Sequence, residues 1–466
     1  MRTARSYLNL AVSWIGGREL RALENGTTLL FGLPGVAVAR VDPAVDGGRV
    51  VHVVTDDPAA ACCSYCGTVS QSVKGNVTTR PKDLPYGETP LRVVWHKRRW
   101  RCRQARCERG SFTEQLPELP AGARTTGRMR QAAARAVTAG RSVAEVAAAH
   151  GISWPTVQRA VDAHAREVLR EPEPTPLLGI DETRFGAVRW IRRADSAWIR
   201  LEPWETGFVD LRCPRHDGGQ GLLGQVDGRT GTSVISWLAA RSQAFRDAIE
   251  VVALDPSAPY AAAVRQALPA ARIAVDHFHL VLLANQAVTR VRQRVTRELL
   301  DRRGRAIDPV WANRRLLLRG AERLSPRALR RMWNGLIDND PTGEILTAWI
   351  AKEELRRLLH AAARGGHRHE INTRLYDFYT WCADADIPEL TTLADTIETW
   401  WPAVLVFLHT QITNARTEGF NRQIKHIKRA AYGFRNRDNY RRRVRLHCTR
   451  STRPRQAGIS PQPGQG

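Results

Sequence analysis

Two short apolar runs each close on an aspartate: Leu177-Leu178-Gly179-Ile180-Asp181 and Val251-Val252-Ala253-Leu254-Asp255. Four consecutive apolar residues between turn formers read as strands buried on both faces, and such strands need helices above and below them. The middle of the chain is therefore constrained to an α/β layer structure with acidic groups at strand ends. A third run, Ala271-Arg272-Ile273-Ala274-Val275, leads into Asp276, and His279 follows one helical turn later. Much further on, Thr417-Glu418-Gly419-Phe420-Asn421-Arg422-Gln423-Ile424 starts a basic amphipathic helix with Glu418 near its opening. Carboxylates from strand ends and a helix can hold two Mg²⁺ (or Mn²⁺) ions about 3.5–4 Å apart, an arrangement that promotes in-line attack on phosphodiesters. Asp181, Asp255 and Glu418 are accordingly the candidate catalytic residues and magnesium ligands, with Asp276 and His279 as supporting residues. Each alone has a plainer reading. Acids commonly end strands at a surface, and Glu418 with Arg422 makes an i,i+4 pair.

The charge balance says what such a site would act on. The chain carries 71 Lys plus Arg against 46 Asp plus Glu, a net charge of +25, which points to a polyanionic partner. A membrane surface is the competing choice, but no apolar stretch approaches the roughly 18 residues of a spanning helix. Residues 7–16 imitate a signal peptide only weakly, because Asn9, Ser13 and Trp14 interrupt them and no small-residue cleavage site follows. Double-stranded DNA in a reducing cytoplasm is the expected setting.

Eight cysteines in 466 residues are too few and too clustered for a disulfide scaffold. Cys63 and Cys66 form one close pair, Cys102 and Cys107 another, and four thiolates in two knuckles suit a tetrahedral structural Zn²⁺. Cys62 is an alternative first ligand to Cys63. The basic run over residues 91–102 reads as a strand feeding the second knuckle, as in a zinc ribbon. The stretch after it has the logic of a helix-turn-helix. Ser142 and Glu145 make a capping box, Gly151 a tight turn, and Ser153 a second cap with Pro155 in the first helical turn. Val143, Val146, Val157 and Val161 then face a core, leaving Trp154, Thr156, Gln158 and Arg159 as candidate DNA-binding residues. An ordinary helical hairpin is the plainer alternative.

These features divide the chain into an N-terminal segment (1–48), a zinc ribbon (49–120) and a helix-turn-helix (124–170). Glu171-Pro172-Glu173-Pro174-Thr175-Pro176 is a stiff, extended linker. The first part of a catalytic α/β core spans 177–280, a helical region 281–410, the helix of Glu418 411–446, and a disordered Pro/Gln/Gly-rich tail 451–466. Asp46-Gly47-Gly48 reads as a hairpin turn before a strand over 49–54. On the helix of Glu418, Phe420, Ile424 and Ile427 form an apolar stripe, and Arg422, Lys425 and Arg429 a basic one placed to hold phosphates. Beyond it, arginines from Arg435 to Arg445 crowd around Tyr432, Phe434 and Tyr440, a mixture suited to backbone contact and base stacking.

Taken together, these residues resemble a known family, the ISL-three type of bacterial insertion-sequence transposases. The resemblance spans about residues 29–445. It rests on Arg98-Arg99-Trp100-Arg101-Cys102 with Ser111-Phe112-Thr113-Glu114-Gln115, on Gly179-Ile180-Asp181-Glu182, and on Tyr260 with the run from Pro269 to His279. It rests also on Thr417-Glu418-Gly419-Phe420-Asn421 and Ala431-Tyr432-Gly433-Phe434-Arg435-Asn436. It implies an α/β multidomain protein with a zinc ribbon, a helix-turn-helix and an RNase H-like core interrupted by a large helical insertion. It implies Asp181, Asp255 and Glu418 as a DDE triad, terminal inverted repeats as substrate, and a homodimer or higher oligomer on DNA. The activity implied is metal-dependent cleavage followed by strand transfer. One departure is an additional Trp- and Arg-rich stretch over 187–206, which leaves open how strands near 207–213 and 222–227 pair; another is the unmatched start of the chain, before Leu29. Two other readings compete: a catalytically inactive DNA-binding regulator derived from a transposase, and a nuclease that cuts without joining.

Overall fold

The computed structural model describes residues 13–15, 18–20, 26–87, 89–213 and 218–449. The stretch 7–16 lies mostly, and the tail 451–466 wholly, outside the described residues. The chain divides into two compact units, one running to Val168 with Ala430–Tyr432, the other starting at Leu169.

In the first unit, β1 (Ser13–Ile15) pairs antiparallel with β2 (Arg18–Leu20), and α1 (Gly26–Phe31) follows. Five strands come next: β3 (Val36–Pro43), β4 (Arg49–Thr55), β5 (Val73–Thr79), β6 (Leu91–Arg101) and β7 (Ser111–Thr113). They form a sheet in the order β3-β4-β6-β5, with β7 on β6. β3 and β4 are the two arms of the expected hairpin. A division at residue 48 therefore cuts between hydrogen-bonded strands, and the stretch from Val36 belongs to the ribbon's sheet. Val38, Val53, Val93, Trp95 and Leu116 supply its core. Three helices complete the unit: α2 (Gly127–Thr138), α3 (Val143–Ala149) and α4 (Trp154–Val168).

The second unit opens with β8 (Leu177–Arg184), then β9 (Arg189–Arg192), β10 (Trp198–Leu201), β11 (Trp204–Asp210) and β12 (Leu222–Asp227). After α5 (Gly231–Ala239) and α6 (Gln243–Asp247) come β13 (Val251–Leu254), α7 (Ala258–Ala267) and β14 (Arg272–Val275). A helical stretch follows: α8 (His277–Leu300), α9 (Pro309–Ala312), α10 (Arg314–Leu317), α11 (Pro326–Ile337), α12 (Glu344–Ala363), α13 (Arg368–Asp384) and α14 (Pro388–Thr410). The last described helices are α15 (Ala415–Ala430) and α16 (Arg437–Cys448).

The main sheet has the order β12-β11-β8-β13-β14. β8, β11 and β12 form an antiparallel meander, while β13 and β14 run parallel to β8 and to each other. This is the RNase H-like topology, and it resolves the pairing left open around 207–227. The residues of 187–206 make a separate ribbon of β9 and β10. β8 is central, with Leu178 and Ile180 fully buried. It does not stop at Asp181 as expected; Glu182, Thr183 and Arg184 continue the pairing with β11.

Two buried charges explain parts of the packing. Lys352 is wholly enclosed in the helical stretch, where its ammonium donates to the carbonyls of Leu317 and Arg319, each at 2.7 Å, and pairs with Glu353 at 2.7 Å. Such a group would cost several kcal/mol to bury without those partners. Glu205, also wholly buried, is gripped by Arg441 through two hydrogen bonds of 2.8 and 3.0 Å. Arg437 and Arg441 both reach Asp227 as well. Tyr440 is buried among Val209, Leu222, Ile424, Ile427 and Val444. Burial removes Tyr440 from the stacking expected of Tyr432, Phe434 and Tyr440, while Tyr432 is 85% exposed. The Tyr440 ring, with Arg437 and Arg441, fastens α16 to the sheet.

Candidate functional site

The four cysteines meet in the first unit. Cys63, Cys66, Cys102 and Cys107 bring their sulfurs within 4.8 Å of one another, with Cys66 and Cys102 3.6 Å apart and Cys63 and Cys107 4.0 Å. A tetrahedron with Zn–S of about 2.3 Å has sulfurs about 3.8 Å apart, so the donor set fits Zn²⁺. Cys62 stands outside the cluster and bridges to Val69 instead. Beneath the cluster Cys63 packs with Trp100 and Phe112. The buried Glu114 fixes this corner, accepting from Trp100 Nε1 at 3.2 Å and Arg98 Nε at 2.6 Å.

The helix-turn-helix forms, with the first of its two expected caps in place. Ser142 and Glu145 complete the capping box, worth about 1 kcal/mol for such a cap. Gly151 takes the left-handed turn at φ 58°, a conformation costly to side-chain-bearing residues. Val146, Val157 and Val161 are buried and Val143 is half-buried. Ser153 bonds the Thr156 hydroxyl at 2.8 Å. Trp154 is 47% exposed and Arg159 is exposed, while Gln158 donates to Asp162 at 2.8 Å along its own helix.

In the second unit α15 lies across β8. At Gly179 any side chain would strike Thr417 and Leu211, so glycine is what lets the helix approach the strand. That approach carries Glu418 towards Asp181, within β8, and Asp255, just past β13. Two amides not singled out from the sequence tie the pieces together. Asn414, wholly buried, donates to Ile180 O at 3.3 Å and Asp255 Oδ1 at 3.2 Å. Asn421 donates to Asp181 Oδ2 at 2.5 Å. Asn414 immediately precedes α15, and Asn421 stands on it one turn after Glu418.

His279 Nε2 lies 2.9 Å from Asp255 Oδ1 and 3.5 Å from Glu418 Oε1. The Asp255 contact raises its imidazole above the ordinary value, against burial. Asp276 caps α8 by accepting from Phe278 N–H at 2.9 Å. Burial works against its carboxylate, but His277 and that N–H hold it below the usual range. Burial, then the Asp255 charge, pushes Asp181 up to about 7, and the same two causes raise Glu182. Among the described residues only the cysteines gather three or more ligand atoms within 4.8 Å. The acids do not form so tight a set; His279 stands in contact with both Asp255 and Glu418. A carboxyl raised by burial and by a neighbouring carboxylate is what a divalent cation relieves, so these residues fit such ions. Arg422, Lys425 and Arg429 lie exposed along α15.

Residues 178–444 match the family model for the DDE transposase of ISL3 type. Residues 114–165 match the helix-turn-helix domain of transposase family ISL3, and residues 59–107 match the zinc-finger of transposase IS204/IS1001/IS1096/IS1165. The chain is 27% identical over 421 residues, 89% of its length and 96% of the relative's, to a transposase for insertion sequence element IS1001 from Bordetella parapertussis. A structural comparison finds the Drosophila P element transposase strand transfer complex at 10% identity and a TM-score of 0.37, covering 70% of this chain and 93% of that one.

Proposed function

This chain belongs to the ISL3 family of DDE transposases, and we propose that Asp181, Asp255 and Glu418 are the acids with which it cuts and joins DNA. The observation that carries this reading is the convergence of β8, β13 and α15, in which Asn414 and Asn421 tie α15 to Asp255 and Asp181 and His279 touches both Asp255 and Glu418. The three acids would hold two Mg²⁺ or Mn²⁺ ions, which supply charge neutralisation and activation of the attacking oxygen. The chain's own residues do the positioning. Asn414 and Asn421 orient Asp255 and Asp181, Asp276 fixes the start of α8, and His279 from that helix steadies Asp255. Arg422, Lys425 and Arg429, exposed on the helix of Glu418, hold phosphates.

In the first step water adds to phosphorus at a transposon end and the P–O3′ bond breaks, releasing a 3′-hydroxyl. In the second, that hydroxyl adds to a target phosphodiester and expels the target's own 3′-oxygen. Zinc on Cys63, Cys66, Cys102 and Cys107 supports the ribbon. Trp154, Thr156, Gln158 and Arg159 meet the terminal inverted repeats, and two copies at least bring two ends together. The test is a cleavage and strand-transfer assay on DNA carrying the element's own ends, with Mg²⁺, with EDTA and with Glu418→Gln. Metal-dependent joining abolished by Glu418→Gln supports the reading; tight end binding with no cleavage under any metal would leave a DNA-binding relic.

A further inference from the structure

β9 and β10 stand apart from the main sheet as a two-stranded ribbon. Trp198 pairs with Arg192, Ile199 with Ile191, Arg200 with Trp190 and Leu201 with Arg189. Paired residues share a face and successive residues alternate. One face therefore carries Trp190, Arg192, Trp198 and Arg200, with the indoles on one diagonal and the guanidiniums on the other. The reverse face carries Ile191, Ile199 and Leu201 with Arg189. Every one of these strand residues is exposed, Trp190 by 61% and Trp198 by 63%. A contiguous aromatic patch open to solvent marks an interaction surface.

Charge selects the partner. Residues 189–202 hold Arg189, Arg192, Arg193 and Arg200 against Asp195 and Glu202, and Glu202 already pairs with Arg200. A second copy would bring the same positive charge, whereas a polyanion built from flat rings satisfies both the indoles and the guanidiniums. The foot of the ribbon is braced for such a load. Glu202 accepts from Trp204 Nε1 at 3.0 Å and pairs with Arg200 at 2.7 Å. The guanidiniums of Arg184 and Arg229 sit 4.9 and 4.7 Å from the Trp204 ring centre. The ribbon also grows from the strand that holds Asp181. The chain between Asp181 and Trp190 reaches at most about 32 Å when fully extended, roughly nine base-pair steps.

We infer that this ribbon binds a DNA strand: Trp190 and Trp198 stack on unpaired bases flanking the position being cut, and Arg192 on the same face holds an adjoining phosphate. The inference rests on the catalytic reading of Asp181, Asp255 and Glu418, and says where an opened strand goes.

The test measures binding of the full chain to a fluorescent single-stranded oligonucleotide of mixed sequence and to its duplex, alongside cleavage of the element's ends. Trp190→Ala/Trp198→Ala should weaken single-strand binding about 10- to 100-fold and leave duplex binding within about twofold. Trp190→Tyr/Trp198→Tyr, which keeps the stacking rings and guards against misfolding, should retain most of the affinity. Unchanged single-strand binding in the alanine variant, loss of self-association in its place, or no single-strand binding by the unaltered chain would each overturn the assignment. End cleavage by the unaltered chain with unchanged strand binding in the variant would sink the ribbon assignment alone. Trp-dependent strand binding without end cleavage would sink the catalytic reading and, with it, the placement beside a cut.

Discussion

The cysteine cluster and the carboxylate site are both gatherings of metal-ligand side chains, built on opposite terms. The four sulfurs are already within 4.8 Å of one another, with Trp100 and Phe112 packed against Cys63. The set is closed, so an ion there finishes a structure and leaves no coordination position for a substrate. The acids come from two strands and a helix far apart in the chain, and are wider spaced. Their partners are amides and an imidazole, and Asp181 is left short of positive charge. Acids short of positive charge can take a divalent cation together with a phosphate oxygen, which four thiolates around one ion cannot.

Several experiments sharpen this contrast. The largest effect should come at the acids: Glu418→Gln should lower strand cleavage at least about a thousandfold while the thermal midpoint and end binding hold. The opposite pattern belongs to the cysteines. Cys66→Ser should release zinc, measured by metal analysis, and unfold the ribbon with loss of specific end binding, since structural zinc contributes on the order of 10 kcal/mol to folding. Next come the orienting amides. Asn421→Ala should cost about 10- to 100-fold in cleavage, the range for residues that aim metal ligands, and raise the Mg²⁺ concentration needed for half-maximal rate. An unchanged Mg²⁺ requirement would remove Asn421 from the site.

The smallest effects are in pH, and their signs differ between the units. His96, pushed down to about 4 by burial and by the charges of His52, Arg40 and Arg80, contributes stability that is present above the ordinary histidine value of about 6.5. That stability is lost as pH falls through 4, on the order of 1–3 kcal/mol. Asp181 is raised, so metal-free protein should lose stability as pH climbs from about 4 to about 7. Urea midpoints of the chelated protein, compared with His96→Gln and Asp181→Asn, read both slopes; a slope unchanged by its own substitution would contradict that assignment.

Much of this was legible in the sequence. The strand before Asp255 was readable because four apolar residues between turn formers leave little choice, and the capping box and paired cysteines are local signals. β8 was read short because Glu182, Thr183 and Arg184 are polar, although they continue the strand past Asp181. Asn414 and Asn421 were missed because an amide on a helix has many ordinary uses, and only the placement of α15 over Gly179 gives these two their task. Arg437 and Arg441 were misread because their partners, Glu205 and Asp227, lie more than two hundred residues earlier. Local composition cannot show whether a distant acid already neutralises an arginine.

The most direct measurement follows binding and joining together for the unaltered chain and Asp181→Asn, on DNA carrying the element's own ends in Mg²⁺. The account predicts that Asp181→Asn binds the ends as tightly as the unaltered chain and yields no joined product. Joining by Asp181→Asn at the unaltered rate would contradict it and move the chemistry to other residues.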